Sequence, residues 1–341
     1  MRRLWSYRRD VAGAALHWSG LGRAYEAAAR PTGAIILMYH SVARDEDAAF
    51  IEARIRMAPE MFERQMRFLA EHRQVVPLGQ VVEEVAAGRS PAAGTVCITF
   101  DDGYLDNLTV AAPILEKYRL PATLYLATGY VERAEAQWAD TLHWLFNART
   151  RDRLTVPAAG LEAADLGSAA RRTAALAVLH AFLLGATRDE RTQALAEASR
   201  QLAPALRLPR LTLGWDDVRE LRRRHPSFEI GGHTRDHIDL RKHGGAACKA
   251  QIAGCADDLR RELGGEPRHF SFPYERWDAP ARDAVIAAGW RSGVGAGDLF
   301  RIDSGSDRYA MPRVEAPKSM TGLAFKTSGA YPGALSMLGL M

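Results

Sequence analysis

The feature that most constrains this chain is an alternation. Short apolar runs recur along it, each followed by a stretch of helical period. Ala34–Tyr39 (AIILMY) and Thr95–Phe100 (TVCITF) are almost unbroken apolar or β-branched runs, the pattern of strands buried on both faces. Between them Pro59 stands at a helix start, and Phe62, Met66 and Leu69 repeat at helical spacing. Leu108–Tyr118 reads helical and Ala122–Ala127 strand-like. After residue 210 the order resumes with helix Trp215–Arg224, strand Phe228–Gly231, helix Ala246–Leu263 and strand His269–Phe272. Helix Ala281–Ala288 and a short strand at Ser292–Val294 follow. Strands that alternate with helices are parallel strands joined by helical crossovers. The chain is therefore expected to be α/β, with a parallel sheet closed into a barrel or doubly wound.

Three stretches stand outside the alternation. Residues 139–210 are rich in Ala, Leu and Arg without a strand pattern, and read as a helical insertion. Residues 316–341 hold Gly, Pro, Ser and Met without periodicity and read as a loose tail. Residues 1–30 carry six arginines against Asp10 and Glu26, a surplus equal to the +4 of the whole chain, so the remainder is neutral. Basic charge confined to one terminal segment does not suit a nucleic-acid surface, and no such partner is expected. The segment reads as a basic amphipathic helix, either simply solvated or in peripheral contact with anionic lipid headgroups. His17, Trp18 and Ser19 interrupt its apolar stretch, which is too short for a cleaved leader. Three cysteines are too few, and odd in number, for a disulfide framework. No window reaches the ~18 apolar residues of a membrane span. These features lead to the expectation of a cytoplasmic, at most membrane-peripheral protein, with its working domain over 31–315.

Two segments carry chemistry. Thr99-Phe100-Asp101-Asp102-Gly103 sets adjacent carboxylates directly after an apolar strand. Asp-Asp-Gly can be a plain turn, but charges beside a core must be paired or bind a metal. In parallel β/α folds, active sites assemble at the C-terminal ends of strands. Gly231-Gly232-His233-Thr234-Arg235-Asp236-His237 also follows a strand, and imidazoles four residues apart can converge on one metal. Together the two segments offer a His, His, Asp set with open positions, suited to a metal that activates water.

Thr-Phe-Asp-Asp-Gly at 99–103, His-Thr-x-x-x-His at 233–237 and Phe-Ser-Phe-Pro-Tyr at 270–274 occur in this order. With them the chain resembles the polysaccharide deacetylases, carbohydrate esterase family four, the nodulation-protein-B homology domain. Ile-Leu-Met-Tyr-His-Ser-Val at 36–42 is similar to a branch that makes or modifies exopolysaccharides. The resemblance covers residues 33–128 and 211–315. It implies a distorted (β/α)7-type barrel, here with the helical insertion. It implies metal-dependent removal of N-acetyl groups from a polysaccharide, an oligosaccharide or a lipid-linked glycan precursor. In such a site Asp101 would be the general base, and Asp102, His233 and His237 would hold a divalent metal, zinc in most members. A backbone N–H in the Pro273–Tyr274 turn would face the oxyanion.

The chain departs from the family pattern twice. Its third motif lacks the arginine that orients the base in many members; Arg313, in Met311-Pro312-Arg313-Val314, is the candidate substitute, the alternative being a surface or ion-pair arginine. No histidine follows His269, so the C-terminal histidine that supplies the acid in many members is absent. His40, after the first strand, is the candidate acid, the alternative being a histidine that ties that strand to its neighbour. Trp138 and Trp144 could stack on a sugar or simply pack helices. Two other functions fit the same fold: a non-catalytic glycan-binding barrel, and a hydrolase of cyclic amides.

Overall fold

The computed structural model describes residues 32–297 and 301–328. In chain order its first strands are β1 (Ala34–Tyr39), β2 (Ser41–Val42), β3 (Arg56–Met57), β4 (Gln74–Val75), β5 (Thr95–Phe100) and β6 (Ala122–Leu126). β7 (Arg153–Val156) and β8 (Leu161–Asp165) follow, then β9 (Phe228–Gly232), β10 (His269–Ser271), β11 (Ser292–Gly295), β12 (Met311–Pro312) and β13 (Val314–Glu315). The main sheet runs β12-β11-β10-β9-β6-β5-β1-β13, with β4 paired to β5. Every pair in it is parallel. As their unbroken apolar runs require, β1, β5 and β6 are buried at every position.

β12 and β13 are separated by Arg313 alone. Met311 and Pro312 pair with Val294 and Gly295 of β11, while Val314 and Glu315 pair with Leu37 and Met38 of β1. One short segment thus joins both edges of the sheet and nearly closes it into a barrel. With 311–315 taken as one stave, seven parallel positions go round the ring, the (β/α)7-type architecture expected.

The crossover helices cover the strands. Helix α1 (Pro59–His72) lays Phe62, Met66 and Leu69 on the sheet, where the Phe62 ring meets Tyr39 edge-on at 5.3 Å. β9 ends in Gly-Gly because nothing larger fits. A Cβ on Gly232 would stand 2.3 Å from the Trp290 ring and 2.6 Å from Cys255 Sγ. This close approach sets His233 at its height on the barrel mouth. Cys97, Cys248 and Cys255 are free and buried, small core residues rather than nucleophiles.

Two expectations need correction. The 139–210 insertion is not wholly helical: helices α2 (Trp138–Ala148), α3 (Ala169–Gly185) and α4 (Arg188–Leu202) enclose an antiparallel hairpin of β7 and β8. Leu154, Val156 and Leu161 turn inward and join Leu142, Leu179 and Leu183 in a second core. The alanines and arginines around these residues hid the alternation. The tail is not loose over 316–328, where helix α5 (Met320–Lys326) buries Leu323 and Phe325 against the barrel. The readings of 1–30 and of 329–341 fall outside the described residues. Among those residues no helix is long and apolar enough to cross a membrane.

Candidate active site

The site is assembled from residues that extend the strand ladders past their ends. Asp101 N–H donates to Tyr39 O at 3.0 Å, and His233 N–H to Leu126 O at 2.8 Å, so both motifs arrive at the same mouth. Beyond these anchors the backbone turns sharply. Asp102 (φ 77°), Thr234 (φ 62°), His237 (φ 46°), Tyr274 (φ 59°) and Glu275 (φ 59°) all adopt left-handed conformations. Non-glycine residues held there cost free energy and cluster where side chains must be aimed.

His233 Nδ1–H donates to the carbonyl of Ser271 at 2.8 Å. A carbonyl can only accept, so the neutral ring is fixed with a bare Nε2. His237 Nδ1 lies 3.0 Å from the Tyr274 hydroxyl, which itself donates to the His237 carbonyl at 3.3 Å; its Nε2 is likewise left without a proton. Burial holds His237 down to about 3 against the pull of Asp102, so the ring is neutral near pH 7. Both Nε2 atoms face Asp102 Oδ1, at 3.6 Å from His233 and 3.3 Å from His237. That oxygen is buried without a hydrogen-bond partner. Three lone-pair atoms therefore converge with no proton to share, all within 4.8 Å of one another. Such a donor set fits a divalent cation, for which Asp102, His233 and His237 would be the protein ligands.

Asp101 lies on the other side of His233, whose Nε2 is 3.8 Å from Oδ2. Arg313 grips it through two parallel hydrogen bonds, Nη1 to Oδ1 at 2.7 Å and Nη2 to Oδ2 at 2.6 Å. This fork geometry is among the strongest neutralising contacts a carboxylate can make. Arg313 is buried and also reaches Ser271 Oγ at 2.9 Å and Glu275. Burial pushes the Asp101 carboxyl up, but the Arg313 guanidinium outweighs it and holds the group well below the usual carboxylate range. Asp101 is ionised and fixed in orientation. The surface-arginine alternative for Arg313 is thereby excluded.

His40 directly follows β1 and is half-buried. Its carbonyl accepts from Asn107 Nδ2 at 2.8 Å. The tie to the neighbouring element is made by its backbone, not its ring. The Tyr274 side chain belongs to His237, as above. In the same turn the Glu275 and Arg276 N–H groups are taken by Phe272 and Pro273 carbonyls, and among the described residues no acceptor pairs with the Tyr274 N–H. Sequence reasoning missed Ser271, whose carbonyl orients His233 and whose hydroxyl meets Arg313 and Asp101. It also missed Glu275. Both lie in or beside the Phe-Ser-Phe-Pro-Tyr segment, which was read only for its proline and tyrosine.

The insertion supplies no ligand but touches both ligand loops. Gln137 Nε2, just ahead of α2, donates to Asp102 O at 3.3 Å. From α4, Arg191 Nη1 donates to Asp236 O at 2.8 Å. Trp138 is buried in the insertion core, and Trp144 Nε1 donates to Leu206 O, so both pack rather than stand free.

Comparison with known proteins agrees with this geometry. Residues 88–293 match the family model for polysaccharide deacetylase. A Bacillus subtilis protein named as a polysaccharide deacetylase, YxkH, is 32% identical over 98 residues, 28% of this chain and 33% of that protein. The match thus spans about a third of that relative's length. Among solved structures, the Streptococcus pyogenes deacetylase PplD superposes with a TM-score of 0.58 at 18% identity, over 87% of this chain and 99% of that one. IcaB from Ammonifex degensii gives 0.57 at 14% identity, over 88% and 98%. At such identities these two establish the shared fold. With the family model covering more than half of its length, the chain belongs to the polysaccharide deacetylase family.

Proposed function

We propose that the chain is a metal-dependent hydrolase of the carbon–nitrogen bond that removes the acetyl group from an N-acetylated sugar of a glycan or glycan precursor. The observation that carries this reading is the convergence of three unshared lone pairs on Asp102, His233 and His237 beside the arginine-clamped Asp101. A divalent cation held by those three residues, zinc in our reading, supplies Lewis-acid polarisation and a lowered pKa of water. Asp101, ionised and aimed by Arg313, accepts the proton of the attacking water. To the Tyr274 N–H, which meets no acceptor among the described residues, we assign donation to the carbonyl oxygen as it gains charge. An expelled amine must be protonated as the C–N bond breaks, and we assign that donation to His40, whose ring holds no hydrogen bond among the described residues.

The non-catalytic alternative rested on the missing third-motif arginine and the missing C-terminal histidine; the grip of buried Arg313 on Asp101 supports a substitute for the first, and His40 is our assignment for the second. The test is acetate release from a panel of N-acetylated oligosaccharides by protein stripped with chelator, before and after zinc is restored. Release only with the metal is expected. Full activity after exhaustive chelation would refute metal dependence, and no release from any substrate with zinc present would refute the reaction.

A further inference from the structure

Between residues 130–141, the start of α4 and residues 207–210 lies a cavity of about 500 Å³, within the size range of small-molecule sites. Its charged lining is one-sided: Arg133, Arg188, Arg191, Arg207 and Arg210 against the single carboxylate of Glu135. Two of these cations are already answered. Arg133 meets Glu135 at 2.6 Å and Asp236 at 3.6 Å, and Arg210 meets Asp217 at 2.5 Å. Arg188 and Arg207 have no ion-pair partner among the described residues.

Arg191 is the telling group. It is 2% exposed, yet no carboxylate pairs with it among the described residues. Its Nε and Nη1 are spent on the neutral carbonyls of Leu183 and Asp236, and its buried Nη2 has no partner among the described residues. A buried cation with neither counter-charge nor a full set of acceptors is unfavourable unless a ligand completes it. The guanidinium also lies over the Trp138 ring, 5.1 Å from its centroid. Trp138, Tyr130, Leu195 and Pro209 give the same cavity an apolar and aromatic wall.

From these unanswered arginines beside an apolar wall, we propose that the cavity binds a small phosphate ester. The phosphate oxygens complete Arg188, Arg191 and Arg207, and the organic part of the ester lies against Leu195, Leu208 and Pro209. Arginine suits the role because its planar fork matches phosphate oxygens two at a time. The site is independent of the deacetylase reading: it shares no side chain with the proposed metal ligands, and its occupancy can be read without turnover.

The experiment is titration of the full chain by calorimetry with N-acetylglucosamine 1-phosphate, neutral N-acetylglucosamine and inorganic phosphate, each at low and high salt. The sugar phosphate should bind tightest, with an affinity that falls as salt rises. The double variant Arg188→Ser/Arg207→Ser changes only exposed side chains and should fold as the parent does. It should weaken sugar-phosphate binding at least about ten-fold, in keeping with the loss of charge-assisted hydrogen bonds. A control pair at the C-terminal end of helix Trp215–Arg224, Arg222→Ser/Arg224→Ser, neither of which lines the cavity, should leave binding unchanged. Equal binding of the neutral sugar, or unchanged binding in the Arg188/Arg207 variant, overturns the proposal. So does binding to phosphatidylglycerol vesicles without affinity for the soluble ester, because a lipid surface needs only exposed positive charge.

Discussion

Replacing Arg313 by methionine tests the electrostatic core of the site. The guanidinium side chain is fully buried and holds both oxygens of Asp101 as well as Glu275. Methionine keeps the bulk but removes the charge, leaving a buried carboxylate without compensation. Removal of one partner from such a pair costs about 3–5 kcal/mol. The penalty depends on pH, with a definite sign. In the parent protein Asp101 has a depressed pKa, so its contribution is present above the unfolded value and is lost as pH falls through the folded one. Without Arg313, burial acts nearly alone and raises the folded pKa above the unfolded one. The group then favours folding only while protonated, and that stability is lost as pH rises. The gap between parent and variant should therefore widen from pH 4 to pH 7. Urea unfolding of metal-free protein at both pH values measures it, and Asp101→Asn/Arg313→Met should recover much of the loss at pH 7. An Arg313→Met protein within about 1 kcal/mol of the parent at pH 7, or a double variant weaker than the single, would refute the reasoning.

Three further outcomes are expected. Asp101→Asn should retain metal and lose at least about 10²-fold in turnover, whereas Asp102→Asn should lose metal; metal analysis beside acetate release separates the two, and the opposite pattern would exchange their roles. His40→Ala should lower kcat while metal content and Tm stay near those of the parent, and a kcat within a few-fold of the parent would remove His40 as the acid. Asp106, which accepts from Ser41 Oγ at 2.6 Å and Val42 N–H at 2.9 Å, is pushed up to about 6, chiefly by burial. Its contribution to stability is thus present below the ordinary carboxylate range and lost as pH rises through about 6; Asp106→Asn should flatten that part of the Tm-against-pH curve, and an unchanged curve would show that burial does not control the group.

Much of the barrel was legible because strands buried on both faces write themselves as unbroken apolar runs. β1 and β5 lie where Ala34–Tyr39 and Thr95–Phe100 placed them, and the residues just past β5 and β9 are those the site brings together. What escaped was structure without a local pattern. β12 and β13 are two residues each, broken by a charged arginine, and pair only because two edges stand ready for them. Glu275 and Ser271 matter through partners about forty residues away, which no window along the chain displays. Arg191 reads locally as one more arginine in a charged helix. Its burial follows from the packing of the whole insertion.

The 311–315 segment has a consequence for how the protein comes into being. Asp101 waits 212 positions along the chain for Arg313, so a nascent polypeptide carries its carboxylate pair and both histidines long before the guanidinium emerges. Until it does, β1 and β11 present open edges of the kind that recruit stray strands. Docking of one short stave then seals both edges and neutralises the buried carboxylate in a single event. The clamp on the buried carboxylate and the closure of the sheet thus depend on the same five residues, and a chain cut short of residue 311 has neither.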